Sequence, residues 1–165
     1  RQSSRHALRA ISILAQASGP AGMVGGQVLD IRAEGTYPTQ TDVEHMFLLK
    51  TGVLIRASAL LGLSCSTDTS PDDEKRITAF GNAIGQAFQI QDDVLDVIAS
   101  SEELGKPQGS DEAKNKPNYA LRFGLEAARR RAETLFEDAM SQLAPYQERA
   151  ELLRWLATYI IHRKK

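Results

Sequence analysis

The chain has 165 residues, 42% hydrophobic and 25% charged, which fits one globular unit with a sizeable core and excludes a disordered chain. Lys and Arg number 20 against 21 Asp and Glu, for a net charge of -1. That balance argues against nucleic acid as a partner, while leaving room for a local basic patch that holds phosphates. One cysteine, Cys65, excludes an intrachain disulfide framework and a multi-cysteine metal site, and suits a reducing compartment. No apolar run is expected to span a bilayer, because Arg56 interrupts the best candidate around Thr51 to Leu63. No signal peptide is visible, and the opening at Arg1 suggests a piece of a longer protein.

The apolar residues follow a helical period and strand-like alternation is nearly absent, so the fold class is all-α. A first helix is expected from about Ser4 to Ala17, ended by Gly19-Pro20. A second covers about Ala21 to Ala33 and carries Gly22, Gly25 and Gly26. Each glycine weakens a helix by roughly 1 kcal/mol, so close helix packing is the reason to expect for them. Thr41-Asp42-Val43-Glu44 reads as a capping box, opening a buried helix to about Leu61 with Gly62 as its stop. Ser70-Pro71 opens the next helix, with Asp72, Asp73 and Glu74 on the positive end of its dipole, and it runs to about Ile98. A polar loop is expected from about Ala99 to Asn115, then a short helix from Pro117 through Phe123. An amphipathic helix follows from about Leu125 to Leu143, ended by Pro145, and a last one from about Gln147 to His162.

Asp92-Asp93-Val94-Leu95-Asp96 is the strongest local signal. At roughly 100° per residue Asp92 and Asp96 stack on one helix face, Asp93 lies beside them, and Gln89 extends the stripe. The carboxylates suit either a solvated acidic face or a Mg²⁺ site, since Mg²⁺ takes oxygen ligands and shares them with substrate phosphates. Lys50-Thr51 interrupts an apolar helix. That lysine reads either as snorkelling or salt-bridged, or as a phosphate ligand with the Thr hydroxyl beside it. Lys106 follows Gly105 in the loop without matching a P-loop, and Lys114 and Lys116 are unremarkable by themselves. Gln27 and Asp30 share a helix face and suit a capped or salt-bridged pair. Leu152, Leu153, Leu156 and Ile160 read as core or interface, and His162-Arg163-Lys164-Lys165 as charge favoured at a helix C-terminus.

Together these pieces resemble the trans-isoprenyl diphosphate synthases. Phe88-Gln89-Ile90-Gln91-Asp92-Asp93-Val94-Leu95-Asp96 resembles the family's second Asp-rich motif. Gly22 to Asp30, Lys50-Thr51, Gly105-Lys106, Gly109-Ser110-Asp111 and Asn115-Lys116 match in the same order. The ending Tyr159 to Lys164 is similar to the tail of bacterial farnesyl diphosphate synthases. Nothing matches the family's first Asp-rich motif or the early helices that carry isopentenyl diphosphate contacts. The chain therefore resembles the C-terminal half to two-thirds of such an enzyme, and Pro117-Asn118 replaces a common Ser-Thr.

The resemblance implies an isoprenoid-synthase-type helical bundle that condenses an allylic diphosphate with isopentenyl diphosphate, with Mg²⁺ as cofactor and farnesyl diphosphate as product. It also implies a cytoplasmic homodimer. It implies metal binding by the cluster Asp92, Asp93 and Asp96, with Asp92 and Asp96 as direct or water-mediated ligands and Asp93 holding a lysine or water. Lys50, Lys106 and Lys116 would bind diphosphate, and Thr51 and Gln89 would face the allylic cation. Two anions ~4 Å apart repel by ~4 kcal/mol at an effective dielectric of ~20, so bare aspartates and diphosphate need a cation between them. Asp30, Lys50 and Asp92 are expected to face one cavity. A non-catalytic partner subunit is the alternative from another class; a terpene cyclase fits the lysine motifs less well.

Overall fold

The computed structural model describes residues 4–66, 68–104 and 118–163. Among these residues every regular element is helical, as the periodicity requires: α1 (Ser4–Ser18), α2 (Met23–Ala33), α3 (Gln40–Phe47), α4 (Val53–Ser64), α5 (Pro71–Leu104), α6 (Tyr119–Phe123), α7 (Leu125–Leu143) and α8 (Glu151–His162). A π-helical turn, Leu48–Gly52, joins α3 to α4, and a 3-10 segment, Ala144–Ala150, joins α7 to α8.

The ends differ from expectation in instructive places. Thr39, not Thr41, caps α3: its side chain accepts from the Asp42 amide at 3.2 Å, and Asp42 Oδ2 accepts from the Thr39 amide at 3.0 Å. Asp42 closes the reciprocal box two residues earlier, which frees Glu44 for other work. Gly62 lies inside α4, which runs on to Ser64. The long helix α5 reaches Leu104, past the expected stop at Ile98; the rest of the expected loop lies outside the described residues. After Leu143, Pro145 sits at the start of the 3-10 turn and Gln147 takes φ 47, so α8 begins at Glu151 rather than Gln147. Ser70 opens α5 as expected, exchanging hydrogen bonds with Asp73 at 3.2 and 2.8 Å.

The core is built on α5. Ile77, Phe80, Ile84, Ala87, Ile90 and Val94 recur at helical spacing on its buried face. Opposite lie Ala128, Ala132, Leu135, Ala139 and Leu143 of α7, whose alanines let the two axes approach closely. On the other side α5 meets the continuous helix Gln40–Ser64 through glycine. A Cβ on Gly85 would lie 2.5 Å from the Gly52 Cα, and one on Gly81 would lie 2.5 Å from the Arg56 Cα. Across that same helix α2 rests on Gly26, where a Cβ would lie 2.2 Å from the Lys50 amide nitrogen. A Cβ on Gly22 or Gly25 would lie 2.2 Å from the Ala17 oxygen or 2.1 Å from the Pro20 oxygen. All three glycines thus serve close packing, Gly26 against the Lys50 helix and the other two against the chain that enters α2.

This 25-residue helix has a stretch of mean hydropathy 1.6, long and apolar enough by length and composition to cross a membrane. By length and composition alone Arg56 does not prevent this: Lys50 and Arg56 together do not offset the leucine-rich turns around them. In the fold the helix lies between α2 and α5, and its Glu44, Lys50 and Arg56 are paired with Arg131, Asp30 and Asn82.

Candidate active site

The π-helical turn delivers Lys50 and Thr51, adjacent in sequence, to two different helices. Lys50 Nζ donates to Asp30 Oδ2 on α2 at 2.6 Å, in a part-buried ion pair. Thr51 Oγ1 donates to Gln89 Oε1 on α5 at 3.1 Å. A local π insertion re-aims side chains in this way and is frequent at functional sites. The salt-bridged alternative for Lys50 is the state observed, and Asp30 is its partner; Gln27 is exposed.

The three aspartates of α5 separate into different environments. Asp96 is exposed. Asp92 is part-exposed and accepts a hydrogen bond from Arg163 Nη2, just beyond α8, while that guanidinium lies 4.3 Å above the Phe88 ring. Burial of Arg163 lowers its pKa from the ordinary arginine value. Asp93 turns inward, is 8% exposed, and accepts from the Tyr119 amide at 2.6 Å. Burial pushes its carboxyl up to about 7 against the pull of that amide; the Asp96 carboxylate adds to the rise, while Gln89 and Lys50 draw it back. Asp93, expected in the metal cluster and there to hold a lysine or water, has the Tyr119 amide as the partner of its carboxylate, on the side away from solvent.

A second polar cluster lies behind the aspartates. Arg131 on α7 grips Glu44 with two bonds, Nε to Oε1 at 3.0 Å and Nη2 to Oε2 at 2.7 Å. The Tyr119 hydroxyl donates to Glu44 Oε1 at 3.1 Å. Burial would raise the Glu44 carboxyl, but the Arg131 and Gln40 hydrogen bonds outweigh it and hold the pKa below the usual glutamate value. Burial and the Glu44 carboxylate push the Tyr119 phenol up to about 12, so it stays a donor at neutral pH. Sequence reasoning missed all three residues. Reading Glu44 as part of a cap hid it, and no spacing links residues 44, 119 and 131.

Asp30, Lys50, Gln89 and Asp93 therefore converge where α2, the π turn and α5 meet, and Asp92 lies on the next face of the same α5 turn. Lys106, Lys114 and Lys116 lie outside the described residues. Among the described residues no group of three or more His, Cys, Asp or Glu side chains is arranged to hold a metal ion. Asp92 and Asp96, one turn apart, remain as hard oxygen donors that suit Mg²⁺ when phosphate oxygens and waters complete its shell. A cleft of about 190 Å³ near His6, Arg9 and Glu74 is remote from this point: Glu74 and Asp92 stand roughly 27 Å apart along α5 at ~1.5 Å per residue.

Fold and site define an all-helical protein with an acidic helix turn set beside a lysine and a hydroxyl–amide pair. The chain belongs to the polyprenyl synthetase family, whose model matches residues 2–154. It is 42% identical over 166 residues to the farnesyl diphosphate synthase of Escherichia coli, covering 99% of this chain and 56% of that enzyme. It is 40% identical to the heterodimeric geranylgeranyl pyrophosphate synthase large subunit 1 of Arabidopsis thaliana, covering 95% of this chain and 43% of that subunit. Among solved structures, geranyltransferase from Helicobacter pylori complexed with magnesium and isoprenyl diphosphate superposes with a TM-score of 0.78 at 31% identity. That match covers 97% of this chain and 52% of the other. The chain spans about half the length of the relatives it matches.

Proposed function

We propose that the chain is the C-terminal part of a short-chain prenyltransferase, and that the complete enzyme, with the helices that carry the first Asp-rich motif, condenses dimethylallyl or geranyl diphosphate with isopentenyl diphosphate to give farnesyl diphosphate. The observation that carries this reading is the Thr51–Gln89 hydrogen bond, which holds the Lys50 turn against the acidic turn of α5. In this reading Lys50, with Lys106 and Lys116, binds diphosphate oxygens. Asp92 and Asp96 hold Mg²⁺, and Asp93 anchors the turn from behind. Bound there, Mg²⁺ supplies the positive charge that favours departure of the diphosphate. The allylic C–O bond breaks with its electron pair on the diphosphate, the isopentenyl double bond attacks the cation, and the condensed cation gives a proton to the released diphosphate to form the new double bond. Thr51 Oγ1 and Gln89 Oε1 turn partial negative charge toward the cation, and apolar helix walls exclude water. Diphosphate binding requires Lys50 to leave or share Asp30, so the ion pair is the resting state of the lysine.

A cytoplasmic enzyme acting as a homodimer is part of the same proposal, with the exposed stripe Leu8, Ile11 and Leu14 of α1 as its candidate interface. Calorimetry on the purified 165-residue chain tests the reading. Inorganic pyrophosphate binds in the presence of Mg²⁺ and not in EDTA, and Asp92→Ala or Lys50→Ala removes the binding. The same chain shows no turnover of geranyl with isopentenyl diphosphate, because it holds one Asp-rich motif and part of the metal set has no protein ligands. A non-catalytic partner subunit would show no Mg²⁺-dependent binding, and robust turnover by the mass-verified chain would overturn the partial-site reading.

A further inference from the structure

Tyr119 touches both halves of the candidate site without belonging to either. Its side chain is 2% exposed. Its amide donates to Asp93 Oδ2 at 2.6 Å, on the helix that carries Gln89, Asp92 and Asp96. Its hydroxyl donates to Glu44 Oε1 at 3.1 Å, on the helix that carries Lys50 and Thr51. Phe123 braces the ring edge-on at a centroid distance of 4.8 Å. Asn118 caps α6 through the Leu121 amide at 2.9 Å and reaches the Asp93 carbonyl at 3.4 Å, so the backbone that presents the Tyr119 amide is itself held.

The far end is clamped as firmly. Glu44 takes two bonds from Arg131 at 2.7 and 3.0 Å and one from Gln40 at 2.9 Å. A two-pronged guanidinium–carboxylate contact fixes orientation as well as distance. The Glu44 side chain is 16% exposed, so its position is set by these partners rather than by water. The path Asp93–Tyr119–Glu44–Arg131 thus crosses α5, α6, α3 and α7.

We propose that Tyr119 is a positioning residue: its amide on Asp93 and its hydroxyl on Glu44 set the acidic turn of α5 against the Lys50 turn, with Arg131 locking the Glu44 end. The inference rests on the prenyl diphosphate reading above and adds residues that touch neither the diphosphate nor the metal. Tyr119→Phe keeps the ring packing and the amide bond to Asp93 and releases only the Glu44 end. Glu44→Gln keeps a neutral acceptor but loses the charge that Arg131 grips.

The test is Mn²⁺ binding by the 165-residue chain in the presence of inorganic pyrophosphate, followed by electron paramagnetic resonance, with melting curves on the same samples. Wild type binds saturably. Tyr119→Phe and Glu44→Gln, measured well below their melting points, each bind about tenfold more weakly, the lower end of the loss on removing a group that orients a metal site from outside its ligands. Glu126→Gln, a control that removes only the exposed pairing with Arg129, binds as wild type does. Wild type without saturable binding overturns the parent reading and this inference together. Saturable wild-type binding with unchanged affinity in both variants overturns the inference alone, as does a fall in melting temperature with unchanged affinity of the folded protein.

Discussion

Asp92 and Asp96 sit one turn apart on the same helix, yet the structure gives them opposite roles in the ligand-free protein. Asp96 is exposed, and its charge works against the buried Asp93 carboxyl. Asp92 is held by Arg163, whose side chain is only 13% exposed. Like charges one turn apart on a helix repel, so by that effect alone deleting either carboxylate would leave the melting temperature equal or higher. The ion pair changes this for one of them. In EDTA, Asp96→Asn leaves the melting temperature equal or raises it. Asp92→Asn lowers stability by about 1 kcal/mol, less than for a fully buried pair because Asp92 is partly solvated. In a complete synthase both variants reduce turnover by roughly 10²-fold, as removal of a transition-state electrostatic group does. Paired melting curves and steady-state kinetics check this; equal destabilisation by both variants would show that the Arg163 contact does not distinguish them.

At the scale of elements, the helix carrying Lys50 is held where neighbours approach through glycine. A methyl group on Gly85 would stand 2.5 Å from the Gly52 Cα, and one on Gly26 would stand 2.2 Å from the Lys50 amide nitrogen. Backbone cannot retreat as a flexible side chain can, so the helices must separate. Gly85→Ala and Gly26→Ala each destabilise by about 1–3 kcal/mol or more, and Gly26→Ala also displaces Lys50 from Asp30. Gly62 is the contrast: it is exposed inside α4 with no atom within 4 Å of an added Cβ. Gly62→Ala therefore stabilises by about 0.5–1 kcal/mol, the helix-propensity difference between the two residues. Chemical denaturation of the three variants checks the opposite signs. The glycines of α2 invited a packing explanation from sequence. Gly52, Gly81 and Gly85 did not stand out, because their partners are distant in the chain and each looks like an ordinary helical weakness until the helices are docked.

For the whole molecule, the start of α5 and the α7–α8 corner are tied by the Tyr146 hydroxyl, which donates to Asp73 Oδ1 at 2.7 Å. The Ser70 amide, the Tyr146 hydroxyl and the Ser70 side chain hold the Asp73 carboxyl down, from 3.8 to about 2. A carboxyl with a folded pKa below its unfolded value stabilises the fold above the unfolded pKa and loses that contribution as pH falls through the folded one. The melting temperature of wild type therefore exceeds that of Asp73→Asn near neutral pH, and the gap closes between about pH 4 and about pH 2. A gap independent of pH in melting scans would remove Asp73 from the acid response. The molecule also leaves Leu8, Ile11 and Leu14 of α1 exposed, with Val24, Val28 and Ile31 of α2 and Leu152, Trp155, Leu156 and Tyr159 of α8. Helical periodicity predicts apolar stripes on these elements; which of them are covered depends on what packs against them.

The sequence by itself determined the all-helical class, the order and approximate ends of most helices, and the acidic turn, lysine and glycine motifs that resemble the polyprenyl synthetase family. These are local properties: a 3.6-residue period, a capping residue and a run of carboxylates are each written within one or two turns of chain. Only the tertiary structure decided that Lys50 pairs with Asp30, that Asp93 faces Tyr119 while Asp92 faces Arg163, and that Glu44 serves Arg131 and Tyr119 rather than a helix cap. A helix period places a residue on a face, but the charge or donor opposite that face comes from residues 20 to 87 positions away. Long-range partners of this kind leave no periodic trace, so they emerge only when the helices pack.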